Sequence, residues 1–358
     1  MKIIITGGHL TPALACIDFI QKNHPGDEII FIGRKFSQEN KQLSQEKTEI
    51  KKRTLKFLAL STPKFLSHKT LNLLIQMPQF IRAILKSKQI IKVNRPDILL
   101  SFGGYLSLPV AIAAKLTKTP IIIHEQTSSL GLANRIISHF ANTVALSQEI
   151  KKYKNHKNFS IAGNPLRSSL IKKANKPNWL EHDERKPLLY ITGGNQGSQI
   201  INKLILESLE DLLKDFNIIH QTGSSKNNFK NNKNYYSKAW IKEKELAWIL
   251  QNTDLAISRS GANTVQELQY FAIPTLFIPL PTARNNEQLD NAKKLEKFGG
   301  ALILEQKRIN STKLLRYLEK LNDNKKLIQK NLQENKPEQS LDAAQNIYQL
   351  LKEHAVKK

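Results

Sequence analysis

The chain holds 358 residues, 40% of them hydrophobic, enough for ordinary globular cores and, by length, for two domains. Its single cysteine, Cys16, excludes an internal disulfide and any cysteine-based zinc site, and no apolar run approaches the ~18 residues of a membrane span. With 55 basic and 30 acidic side chains the formal charge is +25, which suits nucleic acid, an anionic membrane or a phosphorylated substrate and is equally explained by lysine-rich usage in an AT-rich genome.

The first apolar run, residues 2–5, is β-branched and short, as a buried parallel strand should be. A strand that begins at once leaves no secretion signal, and a cytosolic protein is expected. Thr6, Gly7, Gly8 and His9 form a strand-to-helix turn where backbone can approach a ligand closely, and a helix with an apolar face is predicted from Pro12. A tight turn in any α/β protein would explain the glycine pair as well. Further strands are predicted at 28–32, 97–102, 120–124, 143–146 and 159–162, then at 188–192, 218–222, 254–258, 275–279 and 301–304. Strands alternating with helices predict an α/β fold of doubly wound parallel sheets.

The two halves echo each other. Ile5-Thr6-Gly7-Gly8 answers Ile191-Thr192-Gly193-Gly194, and Ser101-Phe102-Gly103-Gly104 answers Ser258-Arg259-Ser260-Gly261, each at a strand end. Two Rossmann-like domains explain the echo. Residues 171–187 are polar without an apolar period. The expected organisation is a first domain over 1–165, a linker over 166–187, a second domain over 188–339, and a closing helix within 340–356 that returns to the first domain. Ligands in such folds bind beyond the carboxyl ends of the strands, so the glycine turns of both halves are expected to face an interdomain cleft.

Anion-binding equipment is concentrated in the second half. The stretches 193–198 and 260–264 each offer backbone N–H groups at a helix start, suited to phosphate. Glu267 falls on the helix begun near Ser260, where a carboxylate can accept from two ribose hydroxyls; a solvated helix face is the alternative. Neither glycine turn continues as Gly-Lys-Ser/Thr or reads G-x-G-x-x-G. No D-x-D ends a strand, so metal-bridged diphosphate chemistry is disfavoured, and neutralisation falls to helix dipoles and Arg167. No metal and no cofactor are expected.

A set of ordered blocks carries a family resemblance. They are Thr6-Gly-Gly-His-x-x-Pro-Ala-Leu-Ala, Phe102-Gly-Gly-Tyr-x-Ser, His124-Glu-Gln with Gly131-x-x-Asn134-Arg135, and Gly163-Asn-Pro-Leu-Arg167. Gly193-Gly-Asn-Gln-Gly-Ser, Ser258-Arg-Ser-Gly-Ala-Asn-Thr-Val-Gln-Glu267, Ile278-Pro-Leu-Pro and Gln288-x-x-Asn291-Ala292 continue the series. The chain resembles the MurG family of N-acetylglucosaminyltransferases. The resemblance implies a GT-B fold and metal-independent, inverting transfer of GlcNAc from UDP-GlcNAc to the 4-hydroxyl of undecaprenyl-diphosphoryl-N-acetylmuramoyl-pentapeptide (lipid I), forming lipid II for peptidoglycan. It places such a protein peripherally on the cytoplasmic face of the plasma membrane, with the anionic inner leaflet as partner and no nucleic acid.

By the same carry-over His9 is the general base, a role that an imidazole with a pKa near 6.5 suits at cytosolic pH; a helix N-cap contact is its alternative. Thr6, Gly7 and Gly8 would bring backbone to the acceptor diphosphate or to the donor's sugar, with Thr127 in the donor set. Arg167, Asn195 and the turn Gly261, Ala262, Asn263, Thr264, Val265 and Gln266 would hold the donor diphosphate, Glu267 the ribose, and Gln288 with Asn291 the GlcNAc hydroxyls. Backbone near residues 240–246 would read the uracil. Tyr105, His124, Glu125 and Asn134 would lie on the acceptor side, ordinary loop packing being the alternative for Tyr105 and His124. Departures from the family pattern are Ile4 and Ile5 in place of its first two glycines, Thr127 for an asparagine, Asn195 for a serine and Glu287 for a histidine. They leave open a GT-B transferase for another lipid or glycan acceptor, or a nucleotide-sugar-binding protein without transfer activity.

Residues 64–92 are lysine-flanked and rich in apolar side chains. Leu71, Leu73, Leu74, Ile75, Met77, Phe80, Ile81, Ile84 and Leu85 exceed one core-facing stripe. An apolar surface amid basic residues suits an anionic leaflet. A core helix broken at Pro78 is the other expectation.

Overall fold

The computed structural model describes residues 1–36, 43–63, 71–154, 156–194, 197–223, 229–283, 286–307, 309–337 and 339–356. They form two compact units, Met1–Arg167 with Gln339–Lys358, and Ser168–Glu338.

In the first unit the order is β1 (Lys2–Thr6), α1 (Leu10–Asn23), β2 (Glu28–Gly33), α2 (Gln45–Lys52), β3 (Lys56–Ala59), α3 (Leu71–Asn94), β4 (Ile98–Ser101), α4 (Ser107–Leu116), β5 (Ile121–Glu125), α5 (Leu132–Ile137), β6 (Thr143–Leu146) and β7 (Phe159–Ile161). The second unit runs α6 (Ser168–Ile171), β8 (Leu188–Thr192), α7 (Gln199–Glu207), α8 (Leu209–Asp215), β9 (Asn217–Gln221), β10 (Tyr235–Lys238), α9 (Glu243–Asn252), β11 (Leu255–Ser258), α10 (Ala262–Tyr270), β12 (Thr275–Phe277), α11 (Glu287–Lys297), β13 (Ala301–Ile303), α12 (Ser311–Asp323) and α13 (Lys325–Glu334). The closing helix α14 (Gln339–His354) belongs to the first unit.

Each unit carries one parallel sheet. The first has the order β3-β2-β1-β4-β5-β6-β7, the second β10-β9-β8-β11-β12-β13. Strand β1 shows why its sequence is apolar at every position. Ile3 and Ile5 pack towards α1 and α14, whereas Ile4 joins the opposite cluster with Phe80, Ala83 and Ile91 of α3. A parallel strand covered by helices on both faces needs apolar side chains on both. Both sheets reverse their direction of growth at one place, between β1 and β4 and between β8 and β11. A crevice opens at such a switch point, because the crossovers leave it on opposite sides.

Strands β3 and β10 were not expected. They are edge strands, KFLA and YYSK, whose short and lysine-bearing sequences blunt an exposed edge and hide the apolar signal. Residues 168–187 also differ from a free linker. Gln251 Nε2 donates to Leu170 O and Lys172 O, both at 2.8 Å, and the Trp179 indole donates to Glu245 at 2.7 Å, holding the stretch to the second unit. Helix α14 is fastened to the first unit by Ile347, Tyr348 and Leu351 in the core and by Asn346 Nδ2 donating to Ala162 O at 3.2 Å.

Helix α3 runs without interruption through Pro78, so the expected break is absent. Residues 64–70 lie outside the described residues. Phe80, Ala83, Ser87 and Ile91 are buried, whereas Ile75, Met77, Ile81 and Leu85 are exposed. The helix thus has a core face and a second apolar face directed outward. Phe80, with 8% exposure, belongs to the core and not to any docking surface.

Candidate active site

The switch point of the first unit gathers the turns after β1 and β4. Gly8 packs on the Gly103-Gly104 turn so tightly that a Cβ on Gly8 would lie 2.2 Å from Gly103 O and 2.6 Å from Gly104 Cα. The glycine pattern therefore has a cause within the fold, the close approach of two backbones. Thr6 is fully buried, its Oγ1 3.1 Å from Ser107 Oγ, and Ser107 in turn donates to Gly103 O.

His9 stands at the start of α1, half-buried, its backbone N–H donating to Phe102 O at 3.2 Å. It occupies the N-cap position, yet its side chain caps nothing. Instead Nδ1 lies 2.7 Å from Gln126 Nε2. Burial pushes the imidazole below its ordinary pKa, with Glu125 pulling it back up, so a neutral ring is favoured at neutral pH.

Behind His9 stands a buried carboxylate. Glu125 accepts from Thr127 N (3.1 Å), Thr127 Oγ1 (2.8 Å), Gly131 N (2.9 Å) and Asn134 Nδ2 (3.0 Å). Four donors around one carboxylate fix the loop after β5. Thr127 and Asn134 are thus used within the loop and are buried. His124 differs from an acceptor contact. It is 1% exposed, its Nε2–H donates to Gly163 O at 2.9 Å, and burial lowers its pKa to about 4. It is a core histidine. Tyr105 is half-buried, with the Arg34 guanidinium 6.0 Å from its ring centre.

The second unit repeats the switch point with different chemistry. A Cβ on Gly193 would meet Ser198 N at 2.3 Å, and one on Gly194 would lie 3.8 Å from Thr264 Oγ1, so the turns after β8 and β11 converge. Their helix ends are unlike. Ser198 caps α7 by accepting from Ile201 N, whereas Gly261 at the start of α10 supplies no side-chain cap. Gly261 has no side chain with which to cap the first turn of α10, and a Cβ there would meet open space. Ser260 Oγ is buried beside it without a hydrogen-bond partner among the described residues. Such a helix end carries about half a positive charge.

Val265 and Glu267 are buried on α10, so Glu267 is no solvated helix face; Gln266 is half-buried. Asn291 donates to Ser260 O at 3.2 Å, and Gln288 Oε1 accepts from Leu280 N at 3.0 Å, tying α11 to the loops after β11 and β12. Trp240 is exposed and Ile241 buried in the loop between β10 and α9. Asn195 lies outside the described residues, and Arg167 is the last residue of the first unit's main segment.

Two residues given no role in the sequence stand out. Arg259 is buried, with Nη1 2.8 Å from Ile278 O and Nη2 2.8 Å from Gln306 Oε1. Burial lowers its pKa to about 10, which still leaves a cation at neutral pH behind the α10 turn. Gln126 directly follows His124-Glu125, yet no local signal shows that it reaches His9.

The profile of the glycosyltransferase family 28 N-terminal domain matches residues 3–146, and that of the family's C-terminal domain matches residues 188–347. A Clostridium botulinum protein named UDP-N-acetylglucosamine–N-acetylmuramyl-(pentapeptide) pyrophosphoryl-undecaprenol N-acetylglucosamine transferase is 33% identical over 99% of both chains. Its Clostridium tetani namesake is 33% identical over 99% of this chain and 98% of its own. Among solved structures, MurG of Acinetobacter baumannii shares the fold with a TM-score of 0.71 at 21% identity, covering 98% of this chain and 99% of its own. A UDP-GlcNAc 2-epimerase of Neisseria meningitidis, bound to UDP-GlcNAc, does so with a TM-score of 0.64 at 12% identity, covering 99% and 100%. Fold alone therefore does not name the reaction, whereas the sequence match along the whole chain does name the kinship: the chain belongs to glycosyltransferase family 28, among its MurG-type N-acetylglucosaminyltransferases.

Proposed function

We propose that the chain transfers GlcNAc from UDP-GlcNAc to lipid I, giving lipid II, with inversion and without a metal ion. The observation that carries this reading is 33% identity over 99% of both chains to a relative named for that transfer. His9 takes the proton of the acceptor's 4-hydroxyl as that oxygen attacks the anomeric carbon of GlcNAc. The bond from that carbon to the diphosphate oxygen breaks, and UDP leaves with the electron pair. The charge gathering on the diphosphate meets the N-terminal end of α10, where Gly261 supplies no side-chain cap, the Ser260 hydroxyl and the field of Arg259. Purified protein given labelled UDP-GlcNAc should glycosylate lipid I. Transfer confined to a different acceptor, or donor binding with no transfer, would replace this reading.

The ribose falls to Glu267. Glu267→Ala should weaken UDP binding by about 1–3 kcal/mol, the worth of hydrogen bonds to a charged group. Calorimetry with UDP checks it, and an unchanged affinity removes Glu267 from the donor site. EDTA should leave the transfer rate intact.

The outward face of α3 supports peripheral attachment to an anionic leaflet. No helix among the described residues is long and apolar enough to cross a membrane. Ile75, Ile81 and Leu85 are exposed, as are Arg82, Lys86 and Lys92. Each basic side chain near such a surface contributes about 1 kcal/mol, and this attraction fades with salt. The apolar side chains add a salt-resistant part. Replacing Ile75, Ile81 and Leu85 with serine should lower binding to phosphatidylserine-containing vesicles at high salt while UDP binding stays unchanged. Undiminished vesicle binding by the folded variant would put the docking face elsewhere.

A further inference from the structure

The reaction asks His9 for a lone pair at the nitrogen that faces the acceptor, and something must decide which ring nitrogen carries the proton. Among the described residues the His9 ring has one hydrogen-bond partner, the Gln126 amide, 2.7 Å from Nδ1. Two titratable neighbours act on the ring through space. Glu125 draws a proton towards it, and a charge on His9 and one on His124 oppose each other. Neither replaces Gln126 as a partner, since the Glu125 carboxylate is taken by Thr127, Gly131 and Asn134, and His124 Nε2–H by Gly163 O.

Gln126 itself is held in place. It is 9% exposed, its backbone carbonyl accepts from Ser147 Oγ at 2.9 Å, and the residues on either side belong to the Glu125 network. Its two amide ends dictate opposite chemistry. With Nε2 turned to Nδ1, the amide donates, the ring's proton is confined to the ring's own Nε2, and His9 has no lone pair to offer there. With Oε1 turned to Nδ1, the amide accepts from Nδ1–H and the ring's Nε2 is bare. Gln126 Oε1 is buried with no partner in the first arrangement, so no bond holds it back from a half-turn. The product of proton transfer settles which end is needed. An imidazolium carries N–H at both nitrogens, and only Oε1 can pair with the one at Nδ1.

We propose that Gln126 is the positioning residue for His9, its amide oxygen accepting from Nδ1–H so that Nε2 receives the acceptor's proton. This rests on the reading of His9 as base. The amide does not touch the reacting atoms, and its half-turn switches the base on or off.

Two variants test it. Gln126→Glu is isosteric and can only accept, so the Nδ1–H form is kept and a negative charge is added beside the ring. Its kcat at the plateau should stay within about tenfold of the parent, and the acid limb of its pH profile should move up by about one unit or more. Gln126→Leu removes the acceptor, and kcat should fall ~10–100-fold with KM for UDP-GlcNAc unchanged. Nitrogen-15 NMR of the imidazoles in Gln126→Glu, above the acid limb, should place the His9 proton on Nδ1. A proton on Nε2 in that variant, a pH profile superimposable on the parent's, or full kcat in Gln126→Leu would each overturn the proposal. The NMR readout needs no turnover. It therefore separates failure of this inference from failure of the base assignment, which His9→Ala tests by itself.

Discussion

His9→Ala is expected to lower turnover of UDP-GlcNAc with lipid I by roughly 10²–10⁴-fold, the usual share of a positioned general base. UDP affinity should hardly change, because the residues assigned to the nucleotide belong to the second unit and His9 to the first. The pH profile gives a second readout. A base works in its neutral form, and burial depresses the His9 pKa below its ordinary 6.5. Its acid limb should therefore fall below pH 6.5, with the rate flat through neutrality and lost only as pH drops through the lowered pKa. In the alanine variant that limb should vanish. Wild-type turnover by His9→Ala would remove the base from this residue. His124 could not then inherit the role, since its ring is buried and bonded to Gly163.

Gly8→Ala should damage the first unit itself. The added Cβ would stand 2.2 Å from Gly103 O and 2.5 Å from Gly103 C, and those atoms are backbone with no rotamer to yield. Overpacking of this kind costs ~3 kcal/mol or more when the neighbour is fixed. For a unit of this size the thermal midpoint should drop by roughly 6–12 °C. Gly26→Ala is the control, because a Cβ there meets nothing within 4 Å. Calorimetry of the two variants checks the contrast. Equal midpoints would mean that the β1 and β4 turns separate easily, and the glycines would then need a ligand to explain them.

These two residues show how unevenly sequence speaks. Gly8 and His9 are adjacent and were both legible as belonging to a strand-to-helix turn. The reason for Gly8 lies across the sheet at Gly103, and the partner of His9 lies 117 residues away at Gln126. Neither contact leaves a local trace. His9 follows a parallel strand and His124 lies at the end of one, and nothing local tells their roles apart. Only burial and the Gly163 carbonyl make one a core histidine and leave the other half-buried.

The sequence by itself determined the α/β class, the central strands, the paired glycine turns and the kinship. Each of these rests on local pattern: β-branched runs for strands buried on both faces, glycine where backbones must approach, and blocks in a fixed order. Tertiary structure decided the edge strands β3 and β10, short and lysine-bearing, whose few core contacts, such as those of Phe57 and Tyr235, leave little apolar pattern to read. It also decided that Ser198 caps α7 whereas Gly261 offers α10 no capping side chain, that α3 has an apolar face left outward, and that Gln126 reaches His9. The meeting of His9 and Gln126 depends on which turns the parallel crossovers bring together near a switch point, where residues far apart in the chain meet without any periodicity to announce them.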